Sequence, residues 1–266
     1  MKNKTVYVPL AVDILHSAHI NILKKAQKYG DVVVGLLTDK AIAEYKKLPF
    51  IDYDERFKIL SGIKFVDRIV EQSSCDYSEN IKRYKPDYLI HGDDWKVGIQ
   101  KNLRKKVIQT LKMNNGKLIE VPYTKSISSS EIRDKIFKLE MSPDNRVSRL
   151  KRLMSAKEIV KILESHNSLT GLIIENLKVS KVNSFTEFDG MWSSSLTDSA
   201  TKGKPDNSSV DFSTRLASLN AMMEVTTKLL VFDADNGGQL EHLRFLVRSL
   251  ERSGASAIIM EDKIGL

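Results

Sequence analysis

His16-Ser17-Ala18-His19 lies between a β-prone run, Thr5-Val6-Tyr7-Val8, and a stretch whose apolar residues recur at helical spacing up to Gly30. A strand, a loop and a helix in this order open many nucleotide-binding folds. Two imidazoles three residues apart at a helix start share one face, where unpaired backbone N–H groups and the helix dipole favour an anion. The stretch therefore predicts a phosphate site, with a surface histidine pair at a helix cap as the alternative.

Length and composition predict a globular protein of one large domain or two ordinary ones. The chain has 266 residues, of which 41% are hydrophobic. No apolar run approaches the roughly 18 residues of a membrane span, and Met1-Lys2-Asn3-Lys4 leads directly into a strand. The single cysteine, Cys75, permits no internal disulfide. We therefore expect a cytoplasmic protein without a membrane partner.

The excess of positive charge is confined to the first half of the chain. Residues 1–140 carry 26 Lys and Arg against 18 Asp and Glu, whereas residues 141–266 carry 16 of each. A basic domain favours a polyanionic ligand, which is either nucleic acid or a nucleoside triphosphate. Because the basic residues are not interleaved with aromatic ones, we expect no nucleic-acid partner.

Strand and helix patterns alternate along both halves, which predicts an α/β protein with parallel sheets. In the first half the predicted strands are Thr5–Val8, Val32–Leu37, Arg68–Val70, Tyr88–His91 and Lys117–Val121. The predicted helices there are Ile20–Tyr29, Tyr53–Ile63, Ser78–Tyr84, Val97–Met113 and Ser129–Leu139. In the second half we predict helices Ser155–Glu164, Thr170–Asn176, Ser213–Thr226 and Leu240–Ser253, strands Gly190–Ser193, Leu229–Asp233 and Ala257–Glu261, and a polar loop Ser194–Ser209. Pro143 and a basic run interrupt the pattern, so we predict domains at 1–140 and 153–266 joined by a linker at 141–152.

Three further motifs accompany the histidine pair in the first half. Lys46-Lys47 stands in a predicted loop before Tyr53-Asp54-Glu55-Arg56, which starts a helix, and His91-Gly92-Asp93-Asp94-Trp95 follows a predicted strand. Side chains at that position emerge at the carboxyl edge of the sheet, where open α/β folds bind ligands. The run Ser126–Arg133 has a hydroxyl-rich helix start with an arginine one turn in, which predicts a second anion cradle.

In order and spacing, His16–His19, Gly92–Trp95 and Ile127–Arg133 resemble the motifs of the cytidylyltransferase family. The resemblance covers the first half of the chain and implies a Rossmann-like nucleotidyltransferase domain with CTP as co-substrate. It further implies that CMP is transferred to a phosphate or phosphonate monoester and that pyrophosphate is released. Two departures stand out: Ala18 replaces the family glycine, and the arginine often found before the serine motif is missing.

The resemblance and the chemistry of phosphoryl transfer imply roles for individual residues. We expect His16 and His19 to bind the α- and β-phosphates, and Lys46 or Lys47 to contact the acceptor or the α-phosphate. Arg133 is expected to bind the triphosphate. Further residues expected to bind the nucleotide or to position magnesium are Asp13, Gly92, Asp94, Trp95, Ser128, Ser129 and Ser130.

Polar motifs also stand near each predicted strand end of the second half. They are His166-Asn167, Gly190–Leu196, Gly203–Asp206, Asp233–Gly238 and Glu261–Lys263. Acidic side chains at the carboxyl ends of successive parallel strands can assemble a magnesium site in a (β/α)8 barrel. Taken alone, Asp233 and Asp235 are more typical of a capped turn than of a magnesium site.

Together these motifs resemble the phosphoenolpyruvate mutase branch of the isocitrate lyase superfamily. The resemblance implies Mg²⁺ arranged by Asp233, Asp235 and Glu261, mostly through water. It also implies a substrate site whose members are Trp192, Ser194, Ser195, Leu196 and Asp206. A (β/α)8 barrel needs about 250 residues, and residues 150–266 supply 117. We therefore expect a partial barrel and no mutase turnover by this chain alone.

These observations leave three functional hypotheses. The leading one is a cytidylyltransferase of phosphonate biosynthesis, with 2-aminoethylphosphonate as the expected acceptor. The alternatives are a phosphoenolpyruvate mutase, an isomerase of which this chain is a fragment, and a partial chain that binds nucleotides without catalysis. In the enzymatic hypotheses the ligands are small molecules, and we expect a homo-oligomer because both families commonly form one and an unfinished barrel has surface to bury.

Overall fold

The computed structural model describes residues 4–45, 47–96, 100–122, 141–180 and 185–262. Within them the chain forms two compact units. The first comprises residues 4–122 together with residues 180 and 185, and the second comprises residues 141–179 and 186–262. No helix among the described residues is both long enough and apolar enough to cross a lipid bilayer.

The first unit is a five-stranded parallel sheet in the order β3-β2-β1-β4-β5. Its strands are β1 (Thr5–Leu10), β2 (Asp31–Leu37), β3 (Arg68–Gln72), β4 (Tyr88–Gly92) and β5 (Lys117–Val121). Its helices are α1 (Ser17–Ala26), α2 (Asp39–Ala43), α3 (Tyr53–Ser61), α4 (Ser78–Tyr84) and α5 (Lys101–Met113). The strand order reverses between β1 and β4, and ligands of open α/β sheets bind at such a point. The predicted Rossmann-like sheet is confirmed.

Alternating side chains of the strands build a hydrophobic core on each face of this sheet. Val6 and Val8 of β1 pack on one side with Leu23 of α1 and Leu60 of α3. Tyr7 points to the opposite side, where residues of α4 and α5 complete a second core. Because β1 and β2 are covered on both faces, their near-continuous apolar runs are what a buried parallel strand requires.

A buried polar cluster beneath the second core depends on one glycine. The Tyr7 hydroxyl donates to Gln72 Oε1 at 2.6 Å and accepts from Asn80 Nδ2 at 2.9 Å. A Cβ atom added at Gly35, in the adjacent strand β2, would lie 1.8 Å from that hydroxyl oxygen. Gly35 is therefore required by the close approach of the tyrosine ring.

The second unit is a four-stranded parallel sheet in the order β11-β10-β9-β6. Its strands are β6 (Ile162–Glu164), β9 (Gly190–Ser193), β10 (Leu229–Asp233) and β11 (Ala257–Ile259), and a separate two-stranded ribbon is formed by β7 (Lys178–Ser180) and β8 (Phe185–Glu187). Its helices are α6 (Pro143–Ala156), α7 (Ser168–Asn176), α8 (Ser195–Ala200), α9 (Phe212–Met223) and α10 (Leu240–Ser253). Met191 and Phe232 anchor a core shared with α7, α9 and α10. Parallel strands alternating with helices in this way match the predicted part of a (β/α)8 barrel.

Several predicted elements are wrong in the second half. The predicted helix Ser155–Glu164 is instead the end of α6 followed by β6, because Ile162–Glu164 pairs with Gly190–Trp192 in the sheet. Much of the predicted linker 141–152 is helical, since Pro143 occupies the first helical position and Arg146 and Leu153 are buried. Tertiary pairing and burial outweighed the local pattern in both cases.

Shorter elements also differ from the predictions. The predicted polar loop Ser194–Ser209 contains helix α8, and the sequence pattern missed α2. Both helices are five or six residues long, too short to show a helical period. The predicted helix Ser129–Leu139 lies outside the described residues. The domain bounds remain a prediction.

Replacing Gly35 by alanine is expected to destabilise the first unit. The new methyl group would displace the Tyr7 ring and disturb its hydrogen bonds, so we expect a loss of about 1 to 3 kcal/mol in the free energy of unfolding, measured by urea denaturation. The matched control is Gly62→Ala, where the nearest atom to an added Cβ is 3.6 Å away. Equal stability of the two variants would contradict the proposed role of Gly35.

Candidate active site

His16 and His19 cap the start of helix α1 reciprocally. His16 is the N-cap residue, and its Nδ1 accepts the backbone N–H of Ala18 at 3.3 Å. His19 Nδ1 accepts the backbone N–H of His16, also at 3.3 Å. The two ring centroids are 4.0 Å apart. This capping box holds both imidazoles side by side at the helix start.

These hydrogen bonds also select the tautomer of both histidines. A ring nitrogen that accepts an amide N–H carries no proton, so the proton of each neutral imidazole sits on Nε2. Partial burial lowers the pKa of His16 and favours its neutral form near pH 7. Each ring therefore offers Nε2–H as a hydrogen-bond donor, which suits a phosphate oxygen at a helix N-terminus.

A cavity of about 180 Å³ opens beside the two histidines. It lies at the carboxyl ends of β1, β4 and β5, where the strand order reverses. Residues that line it include Pro9, Leu10, His16, Ala18, His19, His91, Gly92, Val121 and Pro122. Three predicted site residues, His16, His19 and Gly92, thus meet at one cavity, and Ala18 contributes to its wall.

Asp13 has a contact that the sequence did not indicate. Its Oδ1 accepts the backbone N–H of Phe50 at 2.6 Å and of Ile51 at 3.2 Å. These bonds fasten the loop that follows Lys47 to the end of β1. Asp13 was predicted to contact nucleotide or magnesium, and in the structure this oxygen instead anchors the loop. Lys46 lies outside the described residues.

Arg56 completes the anchoring of this loop. In the sequence it belongs to the stretch Tyr53–Arg56 and was given no role. Its side chain is fully buried and donates to the carbonyls of Ala11 at 2.6 Å, Leu37 at 2.8 Å and Ile51 at 3.1 Å. It also forms an ion pair with Asp39 at 2.6 Å. One guanidinium group thereby joins the ends of β1 and β2 to the loop. The available signal was an arginine on the same helical face as Leu60, four residues on.

His91 and Trp95 form a stacked pair at the far side of the cavity. Their ring centroids are 3.8 Å apart and their planes differ by 8°. Trp95 is only 1% exposed, so it supports His91 from the core, whereas the prediction made it a wall of the nucleotide pocket. His91, which lines the cavity, opens the predicted stretch His91–Trp95 but was given no role of its own there.

An ion-pair cluster on β5 and α5 fixes the indole of Trp95. Trp95 Nε1 donates to Glu120 Oε1 at 2.9 Å, and Arg104 donates to both oxygens of that carboxylate at 2.8 and 3.1 Å. Lys96 Nζ lies 3.5 Å from Glu120 Oε2. The hydrogen bonds from Arg104, with those from Trp95, lower the pKa of Glu120 to about 2. The carboxylate is therefore ionised at neutral pH.

The predicted serine motif cannot be compared with this geometry. Ser128, Ser129, Ser130 and Arg133, like the side chain of Asp94, lie outside the described residues. Their predicted contacts with the triphosphate remain predictions.

In the second unit the structure brings Ser195, Asp233 and Asp235 together at the end of β10. Asp233 Oδ2 accepts from Ser195 N at 3.4 Å and Ser195 Oγ at 3.3 Å, and its Oδ1 accepts from Asp235 N at 3.0 Å. Asp235 adopts a left-handed backbone with φ of 51°. Burial and the nearby Asp233 charge raise its pKa. Strained, charged positions of this kind concentrate at functional sites.

Buried Arg215 balances the charge of this acidic group. Its Nε pairs with Asp198 at 2.8 Å, and its Nη1 lies 3.6 Å from Asp235 Oδ2. Both Arg215 and Asp198 are almost fully buried, and neither was predicted. The signal that could have found them is an aspartate inside the predicted polar loop Ser194–Ser209 and an arginine in the predicted helix that follows it.

The remaining predicted residues of the second unit are more dispersed. Ser194 is buried, and Trp192 Nε1 is a buried donor without a hydrogen-bond partner among the described residues. Leu196 and Asp206 are exposed. Glu261 donates its backbone N–H to the carbonyl of Asp235 at 2.7 Å.

A magnesium ion fits this group only with water among its ligands. Across the described residues no set of three or more His, Cys, Asp or Glu side chains is arranged to hold a metal. Two carboxylates, Asp233 and Asp235, do lie together, and the backbone of Glu261 is bonded to Asp235. Mg²⁺ prefers oxygen ligands and usually keeps several waters, so this donor set is compatible with it.

Two family models match the chain. Residues 12–135 match the cytidylyltransferase-like family, and residues 150–265 match the phosphoenolpyruvate phosphomutase family. Both resemblances predicted from the motifs are thereby confirmed.

Three curated proteins illustrate these similarities. The FAD synthase of Thermococcus sibiricus is 33% identical over 117 residues, which are 42% of this chain and 75% of that protein. The ethanolamine-phosphate cytidylyltransferase of Dictyostelium discoideum is 32% identical over 129 residues, covering 48% of this chain and 35% of that protein. The phosphoenolpyruvate phosphomutase of Tetrahymena pyriformis is 31% identical over 124 residues, covering 46% of this chain and 38% of that protein. The chain thus spans a little over a third of the length of the last two relatives.

Glu120→Gln is expected to lower stability at neutral pH by about 1 to 2 kcal/mol, because it removes the charge that Arg104 binds. The folded pKa of about 2 lies below the ordinary glutamate value of about 4.3. The stabilisation by the Glu120 carboxylate is therefore complete at pH values above about 4.3 and is lost as the pH falls toward 2.

Urea denaturation at several pH values tests this expectation, with the exposed Glu79→Gln as control. The difference between wild type and Glu120→Gln should shrink between pH 4.3 and 2. A difference that stays constant over this range would show that the ion pair contributes nothing.

Proposed function

Because this chain belongs, through residues 12–135, to the cytidylyltransferase-like family, we propose that it transfers CMP from CTP to a phosphonate or phosphate monoester. The observation that carries the proposal is the reciprocal capping of His16 and His19, which presents two Nε2–H donors at the start of α1. A site for phosphoryl transfer must stabilise the negative charge on the phosphoryl oxygens.

The reaction is a displacement at the α-phosphorus of CTP. An oxyanion of the acceptor forms the new bond to this phosphorus, the bond to the bridging oxygen breaks, and its electron pair leaves with pyrophosphate. His16 and His19 donate hydrogen bonds to oxygens of the α- and β-phosphates. The protein contributes position and charge stabilisation and needs no covalent intermediate.

The anchoring of the loop after Lys47 by Asp13 and Arg56 supports a role for the loop lysines. Lys47 directly precedes the fastened segment, and the Arg56 bonds tie that segment to the ends of β1 and β2. We assign Lys46 or Lys47 to the acceptor or the α-phosphate, and Ser128–Ser130 with Arg133 to the triphosphate. Magnesium, when bound, would neutralise phosphate charge.

The second family match supports a phosphonate as the acceptor. A phosphoenolpyruvate phosphomutase makes a carbon–phosphorus bond, so a fused cytidylyltransferase would act on a phosphonate formed downstream of it. We therefore place the reaction in phosphonate biosynthesis and propose 2-aminoethylphosphonate as the acceptor.

Release of pyrophosphate from CTP tests the proposal. With 2-aminoethylphosphonate present, the wild-type chain should release pyrophosphate, and His16→Ala should lower kcat by about 100-fold or more, as loss of one charge-stabilising donor does elsewhere. His242→Ala, an exposed histidine of the second unit, is the matched control.

Three results would contradict the proposal in different ways. Wild-type activity in His16→Ala would remove the role of the histidine pair. Release that does not depend on an added acceptor would indicate hydrolysis. A higher kcat/KM for phosphoethanolamine or glycerol phosphate than for 2-aminoethylphosphonate would overturn the phosphonate assignment and leave cytidylyl transfer standing.

A second candidate function, suggested by the grouping of Ser195, Asp233 and Asp235, is binding of a phospho- or phosphono-2-oxo acid by the second unit. In this proposal Asp233, Asp235 and Glu261 arrange Mg²⁺, which would bind the ligand's oxygens. Trp192, Ser194 and Ser195 contact its carboxylate and phosphoryl group. The match to the phosphoenolpyruvate phosphomutase family supports this candidate.

Calorimetric titration of the full chain with phosphonopyruvate tests the second candidate. Binding should require Mg²⁺ or Mn²⁺, and Asp233→Asn should weaken it at least about 10-fold because a carboxylate ligand is lost. Glu241→Gln, at an exposed position on α10, should leave affinity unchanged. Binding that is equally tight without a divalent ion would rule this site out.

A further inference from the structure

We infer that Arg215 and Asp198 are positioning residues of the second unit, and that together they orient the carboxylate of Asp235 toward a divalent cation. The inference rests on the second candidate function, in which Asp233 and Asp235 arrange Mg²⁺. It concerns two buried residues that none of the sequence motifs includes.

Arg215 links three segments that meet at the acidic group. From helix α9, its Nε donates to Asp198 Oδ2 on α8 at 2.8 Å. Its Nη2 donates to the carbonyl of Ser193, at the end of β9, at 3.3 Å, and its Nη1 lies 3.6 Å from Asp235 Oδ2. The guanidinium also lies over the ring of Phe232 on β10, with its carbon 4.4 Å from the ring centroid. Because a guanidinium is planar and rigid, contacts along its edges and on one face fix its orientation.

The ion pair with Asp198 leaves one donor of Arg215 unused. Both side chains are at most 2% exposed. Nη1 of Arg215 is buried and has no hydrogen-bond partner among the described residues. A buried donor without a partner has lost its hydration at a cost in free energy, so its position calls for an explanation. Here the unused donor faces Asp235 Oδ2, where it can orient the carboxylate.

The backbone of Asp235 is fixed independently of its side chain. Its N–H donates to Asp233 Oδ1 at 3.0 Å, and its carbonyl accepts the backbone N–H of Glu261 at 2.7 Å. The carboxylate extends from this backbone through rotatable bonds, so further contacts are needed to hold it in one direction. Ser195, at the start of α8, hydrogen-bonds to the side chain, and Arg215 provides the opposite charge. Asp198 lies on the same short helix as Ser195, so its bond to Arg215 joins the two contacts.

The charges of this group fit one divalent cation. In their ionised forms Asp198, Asp233 and Asp235 contribute three negative charges, and Arg215 contributes one positive charge. Loss of Arg215 alone would increase the negative excess and, by charge alone, would strengthen binding of a cation. Loss of Arg215 together with Asp198 leaves the excess unchanged. An effect of orientation can therefore be separated from an effect of charge.

Binding of Mn²⁺ to the full chain, followed by the electron paramagnetic resonance of the free ion, tests the inference. Arg215→Lys keeps the charge and loses the planar fork, so Mn²⁺ affinity should fall about 10-fold, as it does when outer-shell partners are lost elsewhere. The double variant Asp198→Leu/Arg215→Met keeps the net charge and should also bind Mn²⁺ about 10-fold more weakly. An apolar pair often replaces a buried ion pair without loss of stability, so this variant is expected to fold.

Lys228→Met is the matched control. Lys228 is another buried cation of the second unit, it directly precedes the opposite end of β10, and its Nζ lies 3.1 Å from Glu187 Oε2. Its loss should lower the free energy of unfolding in urea and leave Mn²⁺ affinity within about twofold, because the two sites are independent. If Arg215 were only structural, its variants would show this same pattern.

The outcomes distinguish failure of this inference from failure of the second candidate function. If wild type does not bind Mn²⁺, or Asp233→Asn binds it equally tightly, the metal site is wrong and the inference falls with it. If Asp233→Asn abolishes binding and the double variant binds as tightly as wild type, only the positioning role is overturned. Unchanged or tighter binding by Arg215→Lys would also overturn that role.

Discussion

The first unit depends on the reciprocal capping of helix α1 by His16 and His19. A helix start leaves several backbone N–H groups without partners, and here two imidazole Nδ1 atoms occupy two of them. The same bonds force the protons to Nε2, so in the proposed function helix capping and phosphate binding use opposite nitrogens of the same rings. Aspartate would cap the helix as well but, as an acceptor only, would offer no donor. The cap thus determines the chemistry of the cavity.

Charged side chains also fix the segments near this helix start through several hydrogen bonds each. Arg56 joins the ends of β1 and β2 to the loop after Lys47, and Asp13 accepts two backbone amides of that loop. On the opposite side Glu120 fixes Trp95, on which His91 stacks. Each carboxylate or guanidinium is satisfied by several partners, which is the condition under which a buried charge stabilises a structure. The cavity wall formed by His91 is therefore backed by fixed groups.

The sequence predicted the helices and strands that have a clear local pattern of apolar residues. It failed for the elements and residues whose structure depends on long-range tertiary contacts. The strand and helix around His16–His19 have strong periodic signals, and the strand Leu229–Asp233 and helix Leu240–Ser253 have the predicted bounds. Ile162–Glu164 was assigned to a helix because only its pairing with β9 makes it a strand. The anchoring role of Arg56 was missed because its four hydrogen bonds reach residues up to 45 positions away, which no local pattern reveals.

The tautomers of the two capping histidines are the most direct test of this account. Nitrogen-15 NMR of the imidazoles, in a chain labelled at histidine, distinguishes a protonated Nε2 from a protonated Nδ1. We predict that His16 and His19 are neutral near pH 7 with the proton on Nε2, and that CTP shifts their Nε2 resonances while Nδ1 keeps its accepting state. Protons on Nδ1, or Nε2 resonances that do not respond to saturating CTP, would contradict the central claim that the same two histidines cap helix α1 and bind the phosphates.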